Sequence, residues 1–597
     1  MVLLGVAALS LGVIPVAGAA ADARIHDIQG DTRLSTLDGQ QVSNVPGVVT
    51  AIRAFGSARG FWMQDPNPDA DPATSEGILV FTGSTTPAVT VGDAVVVAGT
   101  VAEFYPDGAP ATSIHQSMTE LTRATWTVQS SGNALPAAEP VGPATVPDAM
   151  APDANGGSVE GLTLRPTSFA IDYWESREGM RVRVDDARVV GPTTAFNEVY
   201  LTTKPNQNPS AHGGTIYTGY ADSNTGRIKV KSLIPFSQQP FPKADVNDRL
   251  AGETSGPVDY DTFGGYLIQA TTLGTLVDGG LQPEATRPQR SNELAVATYN
   301  VENLSPRDTQ AKYDRLAHGV TSALASPDIL SLEEIQDNNG TTNDGTVAAN
   351  VTLQRFVDAV VAAGGPRYEW REIDPVDGHD GGAPGGNIRV AFLFNPARVS
   401  FVDRPGGDST TAVQVTGGHK PALSVSPGRI DPASTAWTDS RKPLAGEFTF
   451  RGRTVFVVAN HFNSKGGDQP MYGRFQPPTR GSETQRVAQA TEVNEFVGQI
   501  QKVDRLANVV VLGDLNDYQF SPALHELTDH YRLLDLMNVL PRNDRYSYVF
   551  EGNSQVLDHV LVTGLMLPDY DVVHVNAEFA DQASDHDPQV VRLTPLG

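Results

Sequence analysis

"LAVATYNVENL", Leu294–Leu304, is where the chain changes character. Leu294 to Tyr299 is an apolar, strand-forming run that stops abruptly at Asn300, with Glu302 close behind. It reads as a buried strand entering a loop. Downstream of it, strands alternate with helices. "AKYDRLAHGVTSAL" (311–324) reads as a helix ending before Pro327, and "PDILSLEEIQ" (327–336) as the next strand. In "NVTLQRFVDAVVAAGGP" (350–366) Leu353, Phe356, Val357, Val360 and Val361 recur at helical spacing until Gly364 and Pro366 stop the run. "GSETQRVAQATEVNEFVGQI" (481–500) opens with Ser482 and Gln485 as a capping box. Further strands are expected in "NIRVAFLFNP" (387–396), "RTVFVVANHF" (453–462), "ANVVVLGDLND" (507–517) and "VLDHVLVTG" (556–564). Residues 292–597 therefore form one α/β domain.

Upstream the text is strand-like throughout. "VPGVVTAI" (45–52), "GILVFTG" (77–83) and "DAVVVAGTV" (93–101) are short β-branched runs separated by Gly, Asp and Pro turns. "MRVRVDDARVV" (180–190) alternates with period two, as a half-buried strand does. A weak internal repeat relates 37–65 to 177–203, so two small β-barrel-like modules are expected, at 24–128 and 160–280. Between them, 129–159 is a Pro/Ala-rich linker. Val2–Ala19 is an apolar run rich in small residues, with A-x-A patterns at its end, so 1–23 is expected to be a secretory signal peptide. The basic residues that usually open such a segment are missing, which places the expected translational start upstream of Met1. No second apolar stretch of that length occurs, so no stable membrane insertion is expected after cleavage. The sequence has 0 cysteines, so a secreted chain would be held by core packing or bound metal.

With 43 Lys+Arg against 69 Asp+Glu, the formal charge is −26. This excludes a broad basic surface and high-affinity, sequence-specific nucleic-acid binding. It does not exclude a polyphosphate substrate, because a bound divalent cation inverts the local charge. The polar residues that need explaining sit where hydrophobic strands stop: Asn300 and Glu302, Glu334, His461, Asp514 and Asn516, Asp558, and the pair Asp585 and His586 in "SDHDP". Each alone is good turn or cap chemistry. Together they gather acids, amides and histidines at the strand ends of one domain, where α/β folds collect their sites. Hard oxygen ligands such as Glu302 and Glu334 suit Mg²⁺ or Mn²⁺. Asp514 and Asn516 can orient a water and hold a phosphate oxygen, and a histidine paired with an acid supplies proton transfer. Asp585, next to His586 in the chain, is the first candidate for the acid that orients its imidazole.

"YNVENL", "SLEEIQ", "NHFNSKG", "VLGDLND", "LDHVLV" and "SDHDP", in this order, resemble the endonuclease/exonuclease/phosphatase superfamily. With strand-rich modules in front, the chain is most similar to bacterial extracellular nucleases of that superfamily with OB-like modules. The resemblance implies a four-layer sandwich of two packed β-sheets flanked by helices. It implies a metal site of Asn300, Glu302, Glu334 and Asp585, with Mg²⁺ as the ion and Mn²⁺ or Ca²⁺ as alternatives. It implies catalytic roles for His461, Asp514, Asn516, Asp558 and His586, and adds phosphate contacts at Asn300. The acid it sets to orient His586 is Asp558, in competition with Asp585; adjacent residues at a strand entrance point apart, which favours Asp558. Arg389, Arg441 and Lys465 are further candidates for phosphate contact, with ion-paired surface as the alternative. Two departures stand out. The glutamate motif reads Leu-Glu-Glu-Ile, and Glu334 rather than Glu333 is taken as the ligand; Glu302 stands where abasic-site enzymes often have Asp. Tyr546 and Tyr548 are candidates for base stacking or for core packing. The expected activity is hydrolysis of DNA, with RNA as a second substrate and little sequence preference; no protein partner can be inferred. The rival enzymatic reading is a lipid-headgroup phosphodiesterase of sphingomyelinase type, or a phosphatase. An exposed aromatic hairpin would favour the lipid reading, and none is expected from the sequence. The rival of another class is a non-catalytic protein that binds extracellular DNA or polysaccharide.

Overall fold

The structure of the chain is a computed structural model that describes residues 21–564 and 566–596. Most of the expected signal segment lies outside the described residues. Ala21–Asp22, at its end, pairs in parallel with Val42–Ser43, and so belongs to the first module.

Each front module is a closed sheet of five principal strands. In the first these are Gln41–Arg53, Arg59–Gln64, Gly77–Gly83, Ala94–Phe104 and Met118–Ser130; in the second, Arg181–Gly191, Val199–Thr202, Arg227–Ser232, Arg249–Asp261 and Gly265–Ala270. Both run in the spatial order first–second–third–fifth–fourth, and the fourth pairs back onto the first. Closure removes the open edges that a five-stranded sheet would expose. Inside the first barrel, Val45, Val49, Phe61, Val80, Val95 and Val97 form the core. The barrels meet at a glycine contact so close that a Cβ on Gly77 would lie 2.1 Å from the Gly179 carbonyl carbon. A buried Arg33–Asp172 ion pair crosses the same junction.

The expected linker does not act as a spacer. Glu139–Pro140 adds to the first strand of the second barrel, and Gly157–Ser158 pairs with Phe475–Gln476 of the C-terminal domain. The Pro-rich stretch thus adds a short strand at one sheet edge, where proline is tolerated, and forms a separate two-stranded ladder with the C-terminal domain.

The C-terminal domain stacks two sheets. One runs Glu369–Arg371, Arg389–Phe394, Ile329–Ile335, Leu294–Leu304, Gln589–Leu593, Asp569–Val572. The other runs Ser400–Phe401, Leu444–Phe450, Arg453–His461, Asn508–Asp514, Asp558–Val562, Leu534–Asp535. Between them lies a core containing Val296, Phe392, Phe448, Val457, Leu512 and Val560. Outside the first sheet, Gln310–His318 and Asn350–Ala362 bury Tyr313, Leu316, Leu353 and Phe356; outside the second, Glu483–Val503 buries Val493, Phe496 and Val497. The order is helix, sheet, sheet, helix. The long helix starts at Glu483, but the capping box does not form. Ser482 is itself helical (φ −68°, ψ −24°) and donates its hydroxyl to Asp468, while the Gln485 amide caps the carbonyls of Ala436 and Thr438. Among the described residues, no helix is long and apolar enough to cross a membrane.

Candidate active site

Strand parity builds the cluster. Side chains alternate faces along a strand. Leu294 and Val296 point into the core between the sheets, and Asn300 shares their parity. Val455, Val457 and Ala459 point there too, and His461 follows at the same spacing. The same holds for Val510 and Leu512 with Asp514, and for Val560 and Val562 with Asp558. Four strands thus run their inward-facing row out of the apolar core to a polar side chain at the same edge, three along the chain direction and the antiparallel Asp558–Val562 at its start. His461, Asp514 and Asp558 are also direct neighbours across the second sheet. The Asn300 amide joins the two sheets, donating to Asp514 Oδ2 at 3.1 Å and to Glu334 Oε1 at 3.2 Å.

Glu334 breaks the parity rule. Ile329 faces the inter-sheet core while Leu330 and Leu332 face the helices, so regular pleating would bury Glu333 between the sheets and send Glu334 to the helical side. Glu333 does lie between the sheets, bonded to Thr298 Oγ1 at 2.9 Å, and full burial pushes its carboxyl well above the usual range. Glu334 is re-aimed by a left-handed backbone (φ 63°) opposite a bulge, where Asn300–Leu304 spans the partner segment Glu333–Ile335. Within that bulge Glu302 (φ 50°) and Asn303 (φ 54°) are also left-handed. Three non-glycine residues in this region cost of order 1–3 kcal/mol each, the kind of strain that collects at functional sites. The Asn303 amide then holds Glu334 Oε2 at 2.9 Å, and His461 Nε2 stands 3.8 Å from Glu334 Oε1.

"SDHDP" divides its labour. Asp587 turns inward, bonding His574 Nδ1 at 2.9 Å and accepting the amides of Val575 and Asn576, which fixes the loop. Ser584 donates to the Asn300 carbonyl at 2.7 Å, tying the loop to the first sheet. Asp585 stays partly exposed, and His586 Nδ1 meets Asp558 Oδ2 at 2.8 Å. His586 Nε2 is left facing Asp514 Oδ2 at 3.8 Å and Asp585 Oδ1 at 3.9 Å. Burial disfavours charge on His586, but Asp558, Asp585 and Asp514 together outweigh it and raise the imidazole well above its ordinary range. His461 goes the other way: burial, with Arg441 and His586 nearby, holds it neutral. Burial pushes Asp514 up to about 7, opposed by His586.

The acids gathered at this end of the first sheet repel one another. The Glu302 carboxyl is pushed up to about 7 by burial and by Asp585, with Glu334 adding to it. Lys312 donates to the Glu302 carbonyl at 2.6 Å and stands 3.9 Å from Asp308, so its charge offsets the repulsion only in part. Hard oxygens from Asn300, Glu302, Glu334 and Asp585 fit Mg²⁺ or a similar ion, whose charge would relieve this repulsion. His461 Nδ1 is buried without a partner, one more polar group that the protein alone leaves unsatisfied.

The other expected residues lie as follows. Asn516 (φ 51°) donates to the Phe462 carbonyl at 3.1 Å, and its own amide is held by Asp514 Oδ1 at 2.8 Å. Arg441 is buried behind the cluster and donates to that same Phe462 carbonyl; burial lowers its pKa against the pull of Glu334 and Asp514. Lys465 bonds Asp517 at 3.3 Å and stands 4.1 Å over the Tyr518 ring, with its ammonium pushed down to about 8 by burial. Arg389 is not brought into the cluster. It is fully buried and taken up by Glu372, Asp374 and the Asn387 carbonyl, because at the start of its strand it shares the parity of Ala391 and Leu393, which face the helices, and not that of Val390 and Phe392, which face the core between the sheets. Tyr546 packs on His574 (centroids 4.1 Å apart) and bonds Glu578, whereas the half-buried Tyr548 sets its ring 4.8 Å from that of His586. Two residues had no sequence signal. Ser547 donates to Asp558 Oδ2 at 2.7 Å from between two tyrosines, and Ser584 is one of many loop serines.

Comparison with known proteins locates this geometry. Residues 140–278 match a model described as a domain of unknown function (DUF8508). A comparison with curated proteins returned no match. Among solved structures, the chain is similar to truncated Caenorhabditis elegans TDP2, at 16% identity over 50% of this chain and 97% of that one, with a TM-score of 0.32. It is similar to the human Nocturnin catalytic domain (14%, 51% and 94%, 0.33) and to a Bacteroides thetaiotaomicron mannosyl-6-phosphatase (17%, 50% and 99%, 0.32). Residues 297–586, which hold the whole cluster, match the model of the Endonuclease/Exonuclease/phosphatase family, and this segment is a phosphoester-hydrolase domain of that family.

Proposed function

We propose that the chain is a secreted, divalent-metal-dependent phosphodiesterase that cleaves DNA, and RNA as a second substrate, with little sequence preference. The observation that carries this reading is the pairing of an acid set suited to a cation on one sheet with the His586–Asp558 and His461–Asp514 groups on the other, one Asn300 amide apart. Asn300, Glu302, Glu334 and Asp585 would hold the ion, which when bound offsets charge on the phosphoryl oxygens. Asp514, titrating near neutrality, takes the proton of the attacking water. His586 keeps Nδ1–H on Asp558 and presents a charged Nε2–H to a phosphoryl oxygen. Neutral His461 adds a second N–H, and Asn516 holds the turn that positions both. The front barrels are proposed as OB-like modules on the strength of their shared strand order. The apolar run Val2–Ala19, with the A-x-A pattern at its end, supports secretion.

The test is degradation of supercoiled plasmid by the chain from Ala20 onward, with Mg²⁺, with EDTA, and with His586→Ala. Metal-dependent nicking that the variant loses supports the reading. Intact DNA and RNA across Mg²⁺, Mn²⁺ and Ca²⁺, with turnover of phosphomonoesters or lipid headgroups, replaces it.

A further inference from the structure

A cavity of about 1100 Å³ opens from the cluster and is shared by two domains: Glu302, Asp585 and Tyr548 line it from the C-terminal domain, Phe196 and Lys243 from the second barrel. Three phenylalanines stand around it, each at a turn. Phe196 lies on the connection between the first two strands of the second barrel, where Thr194 accepts the Asn197 amide at 3.0 Å. Phe263 lies on the hairpin that pairs Asp261 with Gly265, its own amide held by Asp261 at 2.9 Å. Phe550 ends the strand Tyr548–Phe550, whose hairpin turn is clamped to the second barrel by Arg227 on the Glu551 carbonyl. Their exposures are 82%, 73% and 51%. Rings left this open contribute little to the core, and the turns that carry them are fixed by hydrogen bonds rather than by ring packing.

These rings correct the expectation of no exposed aromatic hairpin. Single phenylalanines in "TTAFNE" and "DTFGG" carry no apolar run that would mark them in sequence. They line a concavity continuous with the cluster instead of projecting together from a convex surface. Tyr548 begins the path beside His586, and Phe550 follows on the same strand face, its ring 6.3 Å away and 17° from parallel. Phe263 and Phe196 continue it onto the barrel. In a chain of charge −26, neutral rings can grip a polyanion where a basic groove is lacking.

We infer that the second barrel forms one wall of the substrate cleft and that Phe550, Phe263 and Phe196 stack on unpaired bases flanking the scissile phosphate. The favoured substrate is then single-stranded polynucleotide, since a paired base offers no free face. This rests on the nuclease reading above. It assigns the barrel a part in specificity and places no group of it in the chemical step.

The experiment compares single-stranded oligonucleotide with a minimal diester, bis(p-nitrophenyl) phosphate, in the full chain and in Phe196→Ala/Phe263→Ala/Phe550→Ala. The ratio of kcat/KM on the oligonucleotide to that on the diester should fall by about tenfold or more, through KM, and the triple Trp variant should restore it. If the wild type cleaves the diester but no oligonucleotide, the nuclease reading fails, whatever the rings do. If it cleaves the oligonucleotide and the triple Ala variant keeps the ratio, the nuclease reading stands and this inference is overturned. Loss of binding to phosphatidylcholine–sphingomyelin vesicles in the Ala variant, with that ratio unchanged, also overturns it and assigns the rings to a lipid surface.

Discussion

Two adjacent glutamates show how much one residue's backbone decides. Glu333 obeys strand parity and is a buried acid whose carboxyl burial holds well above its usual range; Glu334 departs from it and reaches the cluster. Glu333→Gln should therefore keep both fold and activity, whereas Glu334→Gln should raise the Mg²⁺ needed for half-maximal rate by about tenfold or more; metal titrations of the two variants separate the roles. His586→Ala should lower kcat by about 10²–10⁴, and Asp558→Asn by about 10² or more, because it leaves the ring but removes the charge that orients it. Both should melt within a few degrees of wild type, so circular dichroism melts separate lost chemistry from lost fold. Much of this was legible from the sequence: the residues that end apolar strands are the ones the sheets bring together. Arg389 was misleading because it begins its strand on the parity of Ala391 and Leu393, which face the helices, and an arginine at a strand start reads alike whichever face it takes. Ser547 and Ser584 were silent because a serine's value here lies in distant partners.

Among elements, one tight constraint is the close approach of the strands that end in His461 and Asp514. Gly513 sits at φ 133°, and a Cβ there would meet the Asn460 carbonyl oxygen at 2.0 Å. Gly513→Ala should destabilise the domain by about 1–3 kcal/mol from backbone strain alone, more with the clash, and should lower activity by shifting Asp514 against His461. Urea unfolding followed by tryptophan fluorescence, beside single-turnover assays, measures both. Periodicity revealed the long helices and the central strands, since amphipathic spacing and apolar runs are local properties. The capping box failed because Ser482 is itself helical and its hydroxyl is engaged on both sides, accepting from Arg486 and donating to Asp468, a partner fourteen positions away that no local pattern contains.

Across the whole molecule, the barrels and the hydrolase domain are joined by charge as well as by strands. His212 of the second barrel faces Glu578 at 2.7 Å and Glu284 of the connecting segment at 3.4 Å. Glu284, and then Glu578, raise its imidazole to about 10, against burial. The stabilisation is complete below the unfolded value of about 6.5 and is lost as pH rises through about 10. The melting-temperature gap between wild type and His212→Gln should thus be widest near pH 6 and narrow toward pH 10; differential scanning calorimetry across that range reads it. The repeat between 37–65 and 177–203 was visible because it lies within strands, while pairing of the linker with Phe475–Gln476 was hidden in main-chain bonds that any residues can make. That pairing bears on how the protein can be taken apart. A fragment begun at residue 292 would retain every member of the cluster, yet its Phe475–Gln476 edge would lie bare and Glu578 would lose its imidazole. The boundary that looks like a seam in the sequence is a weld in the folded chain, so cutting there yields a damaged enzyme and not an independent one.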